Sequence, residues 1–203
     1  TLFVVIDPPG CAPIYAGLVS GASQRQAVIM AARACGIATV ILVIFALFGE
    51  DLLGALHIEL DAFRMAGGIM LFMIALDMVF EKRTQRREER AERIRAQNEH
   101  TPEVEDVSVF PMAMPMLAGP GSIATIMLLM ARAQGTEQTL VILTAMLAVM
   151  LLSFGALAAA GPLMRLLGTR VEAVITRLLG VLLAALAAQY VMDGARAVLT
   201  GAP

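Results

Sequence analysis

The 203-residue chain has no tryptophan and only two cysteines, two histidines and two tyrosines. Cys11 and Cys35 both stand inside apolar segments, which excludes a disulfide framework and the paired spacing of a zinc site. His57 and His100 stand alone, so histidine supplies no metal cluster, and no cofactor is expected. Charged residues make up 16% of the chain, against roughly 25% in soluble domains. The formal charge of −2 leaves no basic surface for nucleic acid. Hydrolase elbows, H-E-x-x-H helices, Cys/His pairs and the lysine-bearing phosphate loop are all missing, so neither an enzyme nor an ATP-driven pump is expected.

Apolar sequence is what the chain has in quantity. Hydrophobic residues reach 59%, and the mean hydropathy is +0.79. A bilayer-spanning helix needs about 20 such residues. Runs at 1–19, 27–48, 63–81, 109–131, 139–160 and 173–199 meet or approach that length. They are rich in Ala, Leu and Met, and a helix satisfies its own backbone inside lipid. The chain starts at Thr1, and six apolar residues before Asp7 are too few for a signal-peptide core, so the first helix is expected to have begun earlier.

Lysine and arginine divide unequally between the two sides of this topology. Twelve of them (Arg25, Arg33, seven between 82 and 95, Arg165, Arg170 and Arg177) share one side, and only Arg64, Arg132 and Arg196 share the other. The excess marks the cytoplasm. Both termini are therefore expected outside, with the polar linker 82–108 inside. That linker mixes Arg with Glu and then turns acidic, which reads as a solvated tether.

The sequence is also written twice. "DPPGCAPI" aligns with "AGPGSIAT" at an offset of 111, placing Pro9–Gly10 on Pro120–Gly121. Gly54 matches Gly168, and Arg64 with Gly67 matches Arg177 with Gly180, at nearly the same offset. Three crossings per copy make the second copy enter from the opposite face. The expected architecture is an all-α integral membrane protein of six transmembrane helices in two inverted-topology repeats. Residues 1–81 form the first repeat, 82–108 the linker and 109–203 the second repeat. The first and fourth helices are discontinuous.

Discontinuity has a chemical consequence. Proline removes a donor and clashes with the preceding turn, and glycine eases the chain out of helical geometry. The groups so released must face protein or a wet cavity. Half-helix ends pointing inward suit a zwitterion, with amides for its carboxylate and carbonyls for its ammonium. The candidate substrate-binding residues are Asp7, Pro8, Gly10, Cys11 and Pro13 at the first break. At the second they are Gly119, Pro120, Gly121, Ser122 and Thr125. Asp7 is the candidate ligand for an ammonium group or carrier of a coupling proton. Asp77 and Asp193 read as helix-end charges, Arg64 and Arg177 as braces, and Gln189 as a hydrogen-bonding group between helices.

Four segments, "VIDPPGCAPI", "AFRMAGGIMLFMIALDMVF", "VFPMAMPMLAGPGSIATIM" and "ITRLLGVLLAALAAQYVMDG", resemble the signature segments of the MarC family of inner-membrane proteins. The resemblance implies a six-helix protein of a bacterial or archaeal plasma membrane, similar to the SnatA-type transporters of glycine and alanine. Where that family commonly carries Asn, this chain has Cys11. The expected function is secondary transport of a small zwitterionic amino acid across the lipid bilayer by alternating access, with a proton or sodium ion as the candidate coupling ion. The alternative is a non-transporting scaffold or stress-response protein acting through the linker.

Overall fold

A computed structural model describes residues 1–80 and 106–200, with the side chains at 163–170, 172, 173, 198 and 200 left undescribed. All but the last three residues of the linker 82–108 lie outside the described residues, as do the side chains of Arg165 and Arg170.

Eight helical elements follow one another: α1 (Leu2–Ile6), α2 (Pro8–Leu18), α3 (Gln24–Ala55), α4 (Leu60–Val79), an irregular α5 (Ser108–Leu117), α6 (Pro120–Ala131), α7 (Gly135–Ala158) and α8 (Ala160–Thr200). Each half thus reads as a broken pair followed by two long helices. The starts follow local chemistry. Ser23 and Gln26 form a reciprocal capping box on α3. Both α2 and α6 open with proline, where the missing N–H costs nothing. In α5 the residues before Pro111 and Pro115, namely Phe110 and Met114, are extended, because a proline crowds its predecessor out of the α region.

Among the described residues, four helices are long and apolar enough to cross a membrane: Gln24–Ala55, Leu60–Val79, Gly135–Ala158 and Val174–Ala197. The run expected at 109–131 is instead a pair, α5 and α6, bent by 52°. The run expected at 1–19 is likewise split at Asp7 into two short helices. The two runs that prolines divide are the two expected to be discontinuous, and the remaining four are straight. The last helix begins earlier than the expected 173, since Pro162 sits in its first turn, where proline is tolerated. Large aliphatics such as Val141, Leu151 and Leu182 are exposed along the long helices, as a lipid-facing surface requires.

Glycine sets the central seam. A β-carbon on Gly68 would stand 2.9 Å from Val191 N and 3.0 Å from Ala187 O. One on Gly180 would stand 2.9 Å from Met78 Cβ, and one on Gly194 would stand 2.9 Å from Asp61 O. As numbers rise along α4 their partners fall along α8, so the two helices run antiparallel with backbones in close approach. The helices also pair in a regular way: α3 touches α5, α6 and α7, while α4 touches α6 and α8. Exchanging the halves turns α3/α5, α3/α6 and α4/α6 into α7/α1, α7/α2 and α8/α2, and the structure makes those contacts too. The helix α6 lies at the junction of two apolar clusters, with Ile126 in one and Leu128 in the other.

Charge sits at the two ends. Arg33, in the N-terminal third of α3, pairs with Asp106 at 2.8 Å. At the opposite end Arg64 pairs with Asp61 and Arg132 with Asp193, each at 2.8 Å. Arg132 also lies 4.7 Å from the centre of the Tyr190 ring. The Ser108 hydrogen bonds, and then the Arg33 guanidinium, hold the Asp106 carboxyl below its ordinary range. A lowered value means this tie is fully present above the ordinary carboxylate pKa and is lost as pH falls through the lowered one. The pair is exposed, so its contribution is small.

The seam makes a direct prediction. Gly68→Ala drives a methyl into the α8 backbone and should lower stability by about 1–3 kcal/mol, the usual cost of overpacking. Gly36→Ala, where a β-carbon meets nothing within 4 Å, should leave the melting temperature in detergent unchanged or raised.

Candidate functional site

The first break is centred on Asp7, which is 1% exposed. Its backbone adopts the left-handed conformation (φ 57°, ψ 63°), ending α1 and starting α2 at one residue. Aspartate is among the few non-glycine residues that visit this region readily. Pro8 and Pro9 carry no N–H, so the first amide of α2 is that of Gly10, and it donates to Asp7 Oδ1 at 3.2 Å. The carboxylate therefore caps the positive end of α2. A β-carbon on Gly10 would lie 2.2 Å from Asp7 Oδ2, so only glycine admits the carboxylate there.

With the Gly10 amide taken by the side chain, the helical acceptor it would have used, Ile6 O, needs another donor. Cys11 supplies it: the buried thiol donates to Ile6 O at 3.5 Å. The residue that departs from the resembled pattern still provides a donor, and it spends it inside the break. Further along α2, Pro13 is partly buried, and the buried Tyr15 hydroxyl donates to Ala27 O of α3. The short helix is thereby fastened at both ends.

The second break differs in kind. A β-carbon on Gly119 would meet Pro115 O at 2.4 Å, so the chain turns tightly before α6. Gly119 has no side chain with which to cap α6, and Pro120 has no N–H. The amides of Gly121 and Ser122 then open the helix outside its hydrogen-bond ladder. The side chains of Ser122 and Thr125 are buried on α6 (3% and 0% exposed). Thr125 Oγ1 has no hydrogen-bond partner among the described residues. Leaving such a group unmet costs about 1–3 kcal/mol.

The two breaks adjoin. The nearest neighbours of a β-carbon on Gly121 would be Ile74 Cδ1 at 2.4 Å, Val5 Cγ1 at 3.5 Å and Leu71 Cδ2 at 3.7 Å. Val5 lies two residues before Asp7, so α1 brings the first break to the mouth of the second. Of the ten residues expected at the site, Asp7, Pro8, Gly10, Cys11, Gly119, Gly121, Ser122 and Thr125 are buried, Pro13 is partly buried and Pro120 is exposed. Val5, Leu71 and Ile74 were not expected there. They are plain aliphatics in continuous apolar runs, and only the close approach at Gly121 singles them out.

Other expectations are revised. Gln189 is exposed and makes no cross-helix hydrogen bond among the described residues. The buried stripe Gly180, Leu183, Ala187, Tyr190 and Gly194 fixes the rotation of α8 and turns position 189 outward. Asp193 is paired with Arg132, and no group of three metal-binding side chains occurs among the described residues.

The first break is testable by a double-mutant cycle. Asp7→Ala should cost about 0.5–2 kcal/mol, the usual value of an N-cap, and Gly10→Ala should cost at least as much by expelling the carboxylate. Because the two share one contact, the double variant should be less destabilised than the sum, as read by thermal melts.

Comparison with other proteins agrees with this picture. A family model described as MarC family integral membrane protein matches residues 1–199. A UPF0056 membrane protein of Methanocaldococcus jannaschii is 33% identical, covering 98% of this chain and 94% of its own length. YvbG, a UPF0056 membrane protein of Bacillus subtilis, is 31% identical over 96% of this chain and 90% of itself. The UPF0056 inner membrane protein YhgN of Escherichia coli is 28% identical over 96% and 92%. No solved structure matches the chain. A helical bundle with broken first and fifth elements, matched along nearly its whole length, belongs to the MarC family of integral membrane proteins.

Proposed function

We propose that the protein is a secondary transporter of small neutral amino acids such as glycine or alanine, working by alternating access. The observation that carries this reading is the start of α6: two first-turn amides, no capping side chain and a buried, unpartnered Thr125 hydroxyl. Positive helix ends inside an apolar bundle favour a carboxylate. The alkyl side chains of Val5, Leu71 and Ile74 crowd the helix start at Gly121, which suits a small substrate rather than a large one.

In this reading the broken pairs α1/α2 and α5/α6 each act as one crossing. With α3, α4, α7 and α8 they make six, arranged as two inverted repeats. The antiparallel α4/α8 seam and the exchangeable helix contacts support that symmetry. The chain sits in a bacterial or archaeal plasma membrane with both termini outside and the linker inside, and it performs no covalent chemistry. Asp7, holding α2 by its N-terminus, is the candidate carrier of a coupling proton, with sodium as the other candidate ion. Its protonation would release the cap and so couple ion binding to the shape of the break.

Proteoliposomes loaded with glycine or alanine should exchange labelled substrate. Thr125→Val and Ser122→Ala should each reduce exchange about ten-fold, the loss of one hydrogen bond to a charged group. Asp7→Asn should impair exchange more than Asp193→Asn. Deletion of residues 84–104 should leave most of the activity. No counterflow with any of a panel of neutral amino acids would sink the reading. Activity that depends on the linker would favour a scaffold instead.

A further inference from the structure

We infer that the carboxylate seat at the start of α6 is gated by Ile74 of α4, whose δ1 methyl stands where the carboxylate must go. This deepens the transport reading and rests on it, but the template for it lies within the molecule. The offset of 111 sets Asp7 against Ala118, Gly10 against Gly121, and Cys11 against Ser122. At the first break the seat holds the chain's own carboxylate. Asp7 Oδ1 takes the Gly10 amide at 3.2 Å, and Oδ2 fills the space where a β-carbon would be, 2.2 Å from it. At the second break Ala118 brings no carboxylate, and the corresponding space holds Ile74 Cδ1, 2.4 Å from the β-carbon position of Gly121. Both helix starts carry proline and then glycine, Gly10 three residues after its N-cap and Gly121 two after its own, and the glycine faces a carboxylate in one case and a methyl in the other.

A methyl cannot accept a hydrogen bond. Beneath it Thr125, one helical turn beyond Gly121 on the same face, is fully buried with Oγ1 unpartnered among the described residues. An apolar methyl thus stands against the first turn of α6 at Gly121, which suits a closed state and not a resting core contact. Ile74 has room to leave, because it is only partly buried while its neighbours Leu71 and Ala75 are fully buried. A β-branched residue in a helix is stiff at χ1. The methyl is therefore withdrawn by χ2 rotation or by displacement of α4, whose seam with α8 joins the two halves. The same side chain limits substrate size, since it borders whatever group the α-carbon carries.

The test reads access separately from transport. In full-length protein carrying Cys11→Ser and Cys35→Ser, Ser122→Cys is a reporter for the anionic thiol reagent sulfonatoethyl methanethiosulfonate. Ile74→Ala should speed its modification about ten-fold, the effect of removing a closed state populated ten to one. Ile74→Phe should slow it. With Ser122 intact, Ile74→Ala should also extend counterflow from alanine to valine. Ala118→Asp should abolish exchange by tethering a carboxylate in the seat. Should that variant fail to fold, as judged by its melt, the reporter rates decide alone. An unchanged rate in both Ile74 variants overturns the gate whether or not the wild type transports glycine. A faster rate in Ile74→Ala with no wild-type counterflow keeps the gate and rejects the amino-acid reading.

Discussion

A helix broken inside an apolar bundle must find a partner for every backbone group it releases, and the Asp7–Gly10 contact is where this chain first meets that demand. Two consecutive prolines remove the donors that would have served Val4 and Val5, and the carboxylate diverts a third from Ile6. Each departure from the ladder forces the next residue to compensate, and the Cys11 thiol on Ile6 O is that compensation. Remove the carboxylate and α2 begins with two prolines and an uncapped positive end. Remove the glycine hydrogen and the carboxylate has no place to lie. The site is a chain of dependencies in which Asp7 comes first.

The breaks were legible in the sequence because they are made of rare choices. Pro9–Gly10 and Pro120–Gly121 stand out from apolar surroundings, and the structure starts α2 and α6 at those prolines. What could not be read was the identity of the apolar residues around the site. Ile74 is one of many aliphatics in α4, and nothing in its neighbourhood of sequence separates it from Ile69 or Leu76. Its role depends on the rotation of α4, which is fixed by Gly68 against Ala187 and Val191. Gln189 failed as an expectation for the mirror reason, since polarity suggests a partner but rotation of α8 decides whether one is in reach.

The two halves share a build and differ where function would need them to. If both helix starts were capped from within, no seat for a ligand carboxylate would remain. If neither were, two positive ends would compete for one anion and a zwitterion would have no preferred orientation. Asp7 in one copy and Ala118 in the other resolve the choice, leaving a single uncapped end with a carboxylate fixed at its counterpart. In the proposed reading, the ammonium of a zwitterionic substrate would be drawn toward the Asp7 carboxylate.

The seam between α4 and α8 connects this asymmetry to movement. Glycines let the two backbones approach so closely that sliding or tilting of one is felt directly by the other, without the cushion of long side chains. The same helix α4 carries Ile74 over Gly121 and Gly67 against Leu128 of α6. In a cycle that rocks one half against the other, α4 is therefore the element whose displacement both loosens the seam and uncovers the seat. In the proposed transport reading, a carboxylate bound to the α6 amides would stabilise only the uncovered arrangement, giving substrate the differential affinity for one state that any ligand-driven conformational change requires.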